Sequence, residues 1–301
     1  MTPATARRGP LVIAHRGYSA VAPENTLAAF EAALRAGADL LELDVHLSAD
    51  GVPVVVHDHT LDATTGVSRA VGDVSTSDLS HVDAGVWFSE AYAGQRVPTL
   101  AEVLRLTADH PGAGLLIEFK GRWAPASVAV AALIVADSGI ADRCVLQSFD
   151  RSTVAALRDW APDVRRALLV LRPEEDPAAQ ARTLAADLGV MACNPHVAAV
   201  VASPEVVGAF HSAGMQVFTW TVDEPVLWAE VLRSGVDGII TNDPARLRGY
   251  LDCRELRLTQ DLPVEDRDVL ARRAVVQGGR SHPSPAELLR RSAPPATPTV
   301  V

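Results

Sequence analysis

Leu11-Val12-Ile13-Ala14-His15-Arg16-Gly17, Pro23-Glu24-Asn25-Thr26, Leu40-Leu41-Glu42-Leu43-Asp44-Val45 and Val56-His57-Asp58 follow one another near the start of the chain. They read as an apolar strand, a helix opening, a second apolar strand and an extra strand. Each strand delivers polar residues at or near its end. Glu42 and Asp44 stand at i and i+2, so on a strand they point the same way. Two carboxylates side by side repel and lose hydration, and they call for a cation or a functional reason. The plain alternative is a structural ion pair with Arg16 or Lys120.

The same grammar continues to about residue 251. Strands are predicted at 11–15, 40–45, 114–120, 143–149, 165–171, 190–194, 216–222 and 238–241. Helices are predicted at 24–36, 99–109, 125–138, 150–160, 177–188, 204–213, 224–233 and 244–251. Strict strand–helix alternation implies a parallel sheet. Eight such pairs predict an α/β fold of the (β/α)8 TIM-barrel class. The rival, a doubly wound open sheet, is disfavoured by the number of pairs and by the absence of GxGxxG. Ser203-Pro204 and Asp243-Pro244 read as a cap followed by proline at the first helical position. Gly37, Gly139, Gly189, Gly214 and Gly235 each stand where a helix is expected to end.

One segment departs from the alternation. Ser48-Ala49-Asp50-Gly51 is a turn signal, and residues 52–57 read as an extra strand after it. Residues 47–98 then form an insertion after strand 2, on the C-terminal face that carries active sites in barrels. It is either decoration or a lid or substrate-binding subdomain. Its Trp87 and Phe88 are read first as a small local core and second as a contact for the alcohol group, and Asp62 to Thr65 as a loop. The catalytic barrel is assigned to residues 1–251, and residues 252–301 to a C-terminal extension, partly disordered, with a short helix expected at 265–274.

The chain has 301 residues, 48% of them hydrophobic, and a net charge of -10, which disfavours nucleic acid or an anionic membrane as a general partner. Three dispersed cysteines give no disulfide framework. With no apolar leader after Arg7 and Arg8, and no run long enough to span a bilayer, a cytoplasmic protein without stable membrane insertion is expected. Of 27 basic residues only Lys120 is a lysine, in Glu118-Phe119-Lys120. A compact ammonium at that point suits a place where a guanidinium fork does not fit.

On the barrel reading these residues converge on one mouth. Glu42, Asp44 and Glu118 offer an oxygen donor set for a hard divalent cation, Mg²⁺ or Ca²⁺, where zinc would want more nitrogen or sulfur. Arg16 and Lys120 supply positive charge for an anion. His15 and His57 supply an acid and a base near neutral pH. That inventory suits phosphoryl chemistry, and without a P-loop a nucleoside triphosphate is not the expected substrate. His46 and His59 are read as turn or hairpin residues.

The ordered set Ile13-Ala14-His15-Arg16-Gly17, Pro23-Glu24-Asn25-Thr26, Glu42-Leu43-Asp44-Val45, Asp50-Gly51, Val56-His57-Asp58, Pro98-Thr99-Leu100, Glu118-Phe119-Lys120, Trp220-Thr221-Val222 and residues 237–244 (Asp-Gly-Ile-Ile-Thr-Asn-Asp-Pro) resembles the glycerophosphodiester phosphodiesterase family. One departure is His46-Leu47-Ser48-Ala49-Asp50, where the family often has a threonine and a basic residue; it touches the hairpin and not the ligands. The resemblance implies Glu42, Asp44 and Glu118 as metal ligands, and His15 and His57 as the acid–base pair. It further implies Arg16 and Lys120 on the phosphate and Trp220 on the glycerol side. The implied reaction is hydrolysis of a small-molecule glycerophosphodiester to sn-glycerol 3-phosphate and an alcohol. Lysophospholipase D-type hydrolysis and non-catalytic glycerophosphodiester binding stand as alternatives. Which alcohol leaves, which ion serves and what oligomer forms are open at this point.

Overall fold

Nine strands form in the computed structural model, which describes residues 9–259: β1 (Leu11–Ala14), β2 (Leu40–Leu47), β3 (Pro53–Val55), β4 (Gly114–Phe119), β5 (Cys144–Ser148), β6 (Arg165–Val170), β7 (Ala192–Pro195), β8 (Phe218–Thr219) and β9 (Gly238–Thr241). The helices are α1 (Leu27–Arg35), α2 (Asp62–Thr65), α3 (Thr76–Leu79), α4 (Leu100–Ala108), α5 (Pro125–Asp137), α6 (Arg151–Trp160), α7 (Pro177–Leu188), α8 (Val197–Ala202), α9 (Glu205–Ser212), α10 (Pro225–Ser234) and α11 (Pro244–Thr259). Eight strands run parallel in the order β7-β6-β5-β4-β2-β1-β9-β8, and β3 hangs antiparallel from β2 with Val55 opposite Val45. The two ends of that order meet. Single bridges join Ala192 to Gln216 and His196 to Trp220, and the Phe218 amide donates to Asn194 Oδ1 at 3.2 Å. The sheet is therefore a nearly closed (β/α)8 barrel.

Its interior explains why the strands must close. Ile13, Leu40, Leu116, Val145, Ala167, Ala192, Phe218 and Ile240 form one buried cluster, a side chain from each of the eight barrel strands. An open sheet cannot bring its two edge strands into one such layer. The intervening residues point outward: Leu41, Leu43, Val45, Leu115, Ile117 and Phe119 pack against the helices around α1, α4 and α5. Because side chains alternate, the residue two positions beyond each floor residue also faces inward, one layer higher. On β1, β2, β4, β5, β7, β8 and β9 that rule selects His15, Glu42, Glu118, Gln147, Asn194, Trp220 and Asn242.

Helix starts follow their caps. Thr99 and Glu102 form a reciprocal capping box at α4, and Asp176 with Pro177 opens α7, which ends at a left-handed Gly189. α1 begins at Leu27, later than its pattern suggests, because Thr26 accepts the Ala29 amide as cap. α8 was not foreseen, and the cap expected at Ser203-Pro204 gives way to α9 starting at Glu205. α11 runs to Thr259, so the first residues assigned to the extension belong to the barrel's last helix. The short helix expected at 265–274 and the disorder expected further on lie outside the described residues.

The insertion has a core of its own, made of Val54, Val56, Leu61, Val71, Val74, Leu79, Ala84 and Val97. Trp87 and Phe88, read first as a small core, are instead exposed; they stack edge-to-face on each other, and Phe88 does so on Tyr92. Asp62 to Thr65, read as loop, forms the single turn α2. Among the described residues no helix is long and apolar enough to cross a membrane.

Candidate active site at the mouth of the barrel

The layer above the barrel floor carries the charge. Asp44 and Glu118 are register partners on β2 and β4, and one oxygen each from Glu42, Asp44 and Glu118 lies within 4.8 Å of the others. All three side chains are buried. Arg16 follows β1 in a left-handed conformation, with φ 56°. Its backbone amide donates to Glu42 Oε2 at 2.9 Å, and its Nη1 donates to Glu24 at 2.9 Å. Its Nε lies 3.4 Å from Asp44 Oδ2, yet it is buried without a hydrogen-bond partner. Lys120 Nζ reaches Glu118 at 2.9 Å and Asp44 at 3.5 Å. The ion pairs of Asp44 with Arg16 and Lys120, the plain alternative, thus exist as part of a larger cluster.

Gly17 makes the Arg16 turn possible. It has φ +82°, and a Cβ there would meet the Ala29 backbone carbon at 2.7 Å. The β1–α1 connection is thereby pressed against the start of α1.

Burial and crowding set the protonation of the cluster. Glu42 is pushed well above the usual carboxylate range by burial, then by Asp44 and Glu118. Glu118 rises to about 7, again chiefly by burial, with Lys120 opposing. Asp44 is driven down; burial would raise it, but the charges of Lys120 and Arg16 prevail. Three converging oxygen donors, two of them reluctant to ionise together, form a donor set that a hard divalent cation fits. The orphaned Arg16 Nε beside them is a further donor awaiting an oxygen.

The two histidines flank this cluster, and each interacts electrostatically with Asp44. Burial, then Arg16, lowers His15 to about 3. Burial also lowers His57, partly offset by Asp44. His57 Nδ1 lies 2.7 Å from Asp58 Oδ1, and a carboxylate only accepts, so Nδ1 carries the proton. His46, read as structural, binds the His57 carbonyl at 3.0 Å.

Trp220 stands on the far side of the mouth. It packs on the floor layer, its Nε1 donates to the Asn194 carbonyl at 2.9 Å, and it stacks edge-on with His196 and with the exposed Phe149. Among the described residues, no hydrogen bond joins it to the carboxylates. A groove of about 800 Å³ on the outer wall, lined by Leu27, Val54, Leu79, Gln95 and Val97, holds none of these converging groups.

Sequence reading missed two partners. Asn25, with φ 57°, donates to Asp44 Oδ2 at 2.9 Å, and Glu24 anchors Arg16. Both sit in the Pro-Glu-Asn-Thr signal, where a polar pair directly before a helix was the available clue.

A model of the glycerophosphoryl diester phosphodiesterase family matches residues 15–246. A glycerophosphodiester phosphodiesterase of Caldanaerobacter subterraneus subsp. tengcongensis is 36% identical over 239 residues, covering 79% of this chain and 96% of that protein. A crystal structure of a glycerophosphodiester phosphodiesterase from Agrobacterium tumefaciens aligns with TM-score 0.68 at 31% identity, over 78% of this chain and 97% of its own. An Oleispira antarctica phosphodiesterase, solved in complex with the product sn-glycerol-3-phosphate, aligns with TM-score 0.74 at 27% identity, over 81% and 97%.

Proposed function

The chain belongs to the glycerophosphoryl diester phosphodiesterase family, and from that premise we propose that it is a divalent-cation-dependent enzyme that hydrolyses glycerophosphodiesters to sn-glycerol 3-phosphate and an alcohol. The observation that carries the reading is the buried carboxylate cluster set between two cations, with a histidine on either flank. The product bound in the Oleispira relative supports the same substrate class.

Glu42, Asp44 and Glu118 would hold Mg²⁺ or Ca²⁺. Such an ion, when bound, supplies Lewis-acid stabilisation of charge on the phosphoryl oxygens. Arg16 and Lys120 grip non-bridging oxygens, and the unsatisfied Arg16 Nε is one donor aimed at them. Trp220 offers the carbon side of glycerol an apolar face.

The glycerol hydroxyl next to the ester is placed to attack phosphorus. Its proton passes to one histidine, the new P–O bond closes a five-membered cyclic phosphate, and the bond to the leaving alcohol breaks as the other histidine protonates that oxygen. Neighbouring groups so held reach effective molarities of about 10⁵ M or more. Water then opens the ring with the histidine roles reversed. His15 and His57 divide these two roles between them.

A panel of glycerophosphodiesters and lysolipids, assayed with Mg²⁺ and Ca²⁺ in parallel, tests the reading. Chelation should abolish turnover. His57→Ala should lose turnover while the ion still raises the melting temperature. A substrate bound but never cleaved by the ion-loaded wild type would refute it, and preference for lysolipids would move it to lysophospholipase D-type chemistry.

A further inference from the structure

We propose that Asn242 is a positioning residue for His15, and that Asp223 sets the orientation of the Asn242 amide, so that Nε2 is the His15 nitrogen that exchanges protons. This rests on the reading of His15 as an acid–base residue.

Asn242 follows β9 and occupies the layer above Ile240, beside the end of β1. Its Oδ1 is 2.7 Å from His15 Nδ1. An amide can be turned either way, and a turned amide would offer His15 an N–H in place of an oxygen. Asp223 removes that freedom. Its Oδ2 accepts from Asn242 Nδ2 at 2.6 Å, and a carboxylate has no proton to give. The NH₂ must therefore face Asp223 and the oxygen must face His15. Asp223 is itself fixed, since its Oδ1 accepts the Asn242 amide at 2.7 Å and Thr241 Oγ1 at 2.8 Å. Ser19 Oγ, on the β1–α1 connection, lies 2.9 Å from the His15 carbonyl and 2.8 Å from Asn242 Oδ1, two acceptors that share its single hydrogen.

The consequence is one tautomer. Facing an oxygen, His15 Nδ1 must carry its hydrogen, and the neutral ring then has its lone pair on Nε2. Whether His15 gives or takes a proton, Nδ1 keeps the same bond and Nε2 does the exchange. A wrong tautomer disables a histidine whose geometry is otherwise intact, as the serine protease precedent shows. Using an amide in place of a carboxylate fixes the tautomer without adding charge to a mouth that already holds three carboxylates.

The test combines kinetics on a glycerophosphodiester with ¹⁵N-histidine NMR of the full chain, the His15 signals being assigned by their loss in His15→Gln. Wild type should show a protonated-type Nδ1 at His15. Asn242→Ala and the isosteric Asp223→Asn should each mix the tautomers and lower kcat, Asn242→Ala by about 10²-fold or more, with KM little changed. The double variant Asp223→Asn with Asn242→Asp reverses donor and acceptor between the two positions but again presents an oxygen to His15. It should restore both the single tautomer and most of kcat, which a merely structural role does not predict. Asn242→Ala with full kcat and an unchanged tautomer, while His15→Gln is inactive, would overturn the proposal alone. An active His15→Gln would overturn the acid–base reading and this proposal with it, and the NMR tautomer records that case separately.

Discussion

Stripped of divalent ions, this protein should become less stable as the pH rises through the range in which Glu118 ionises. In the folded chain the Glu118 carboxyl is held up to about 7 from 4.5, by burial first and Asp44 in addition, against the pull of Lys120. In the unfolded chain it titrates near its ordinary value. Below that value both states hold the proton. Between it and about 7 only the folded state does, so stability declines with rising pH across the window and stays reduced above it. Each pH unit of displacement is worth about 1.4 kcal/mol, so Glu118 removes about 3 kcal/mol once ionised. Glu42, also pushed upward, acts in the same direction. Urea unfolding in chelator, for wild type and Glu118→Gln, from about pH 4.5 to about pH 7.5, isolates the group. The variant also loses the Lys120 contact, but it has no carboxyl to titrate in the window. Wild-type stability relative to the variant should fall by about 3 kcal/mol over that range. Saturating Mg²⁺ or Ca²⁺ should reverse the loss by binding the ionised set, adding about 2.7 kcal/mol at a hundredfold excess over Kd. A difference between wild type and variant that stays flat, or grows with pH, would refute the crowded-carboxylate account.

Three further outcomes follow from particular contacts. Lys120→Arg should lower kcat/KM about tenfold or more in steady-state assays, because a guanidinium cannot sit between Glu118 and Asp44 as Nζ does. Gly17→Ala should cost about 3 kcal/mol in chemical denaturation and reduce activity with it, since the new Cβ strikes the Ala29 backbone and displaces Arg16. Arg166→Met should cost a similar amount, about 3 kcal/mol, but leave KM unchanged. Its guanidinium serves the carbonyls of Ala161, Pro162, Val164, Leu188 and Gly189 near the N-terminal ends of the strands, away from the mouth.

The alternation of strands and helices made the barrel legible, because the eight apolar runs have no other way to bury both faces. The i, i+2 rule then placed Glu42, Asp44, Glu118 and Lys120 on the inside, as the structure shows through the outward-facing Leu43 and Phe119 between them. Less was legible where structure depends on long-range pairing. The 216–222 strand shortens to Phe218–Thr219 because Asn194 supplies a side-chain acceptor in place of a backbone one. α8 escaped notice because Val197–Ala202 has the apolar composition of a strand and only the short reach of a helix. Trp87 and Phe88 look like core by residue type, yet the insertion fills its interior with smaller aliphatic residues contributed from several turns. Asn25 and Asn242 were the hardest to foresee, since an asparagine at a turn ordinarily serves its own backbone, and here each serves a charged or titrating partner on another strand.

The lone lysine makes the barrel a natural single-handle reagent. Acylating agents such as N-hydroxysuccinimide esters find one side-chain amine in the whole sequence, and it lies half-sheltered in the mouth at 18% exposure. Acylation of that amine would fall on the machinery itself, and its slowing would report occupancy of the mouth by ligand. Lysyl endopeptidase likewise has one peptide bond to cut, after Lys120 at the end of β4, and cleavage there would record opening of the barrel rather than trimming of its surface.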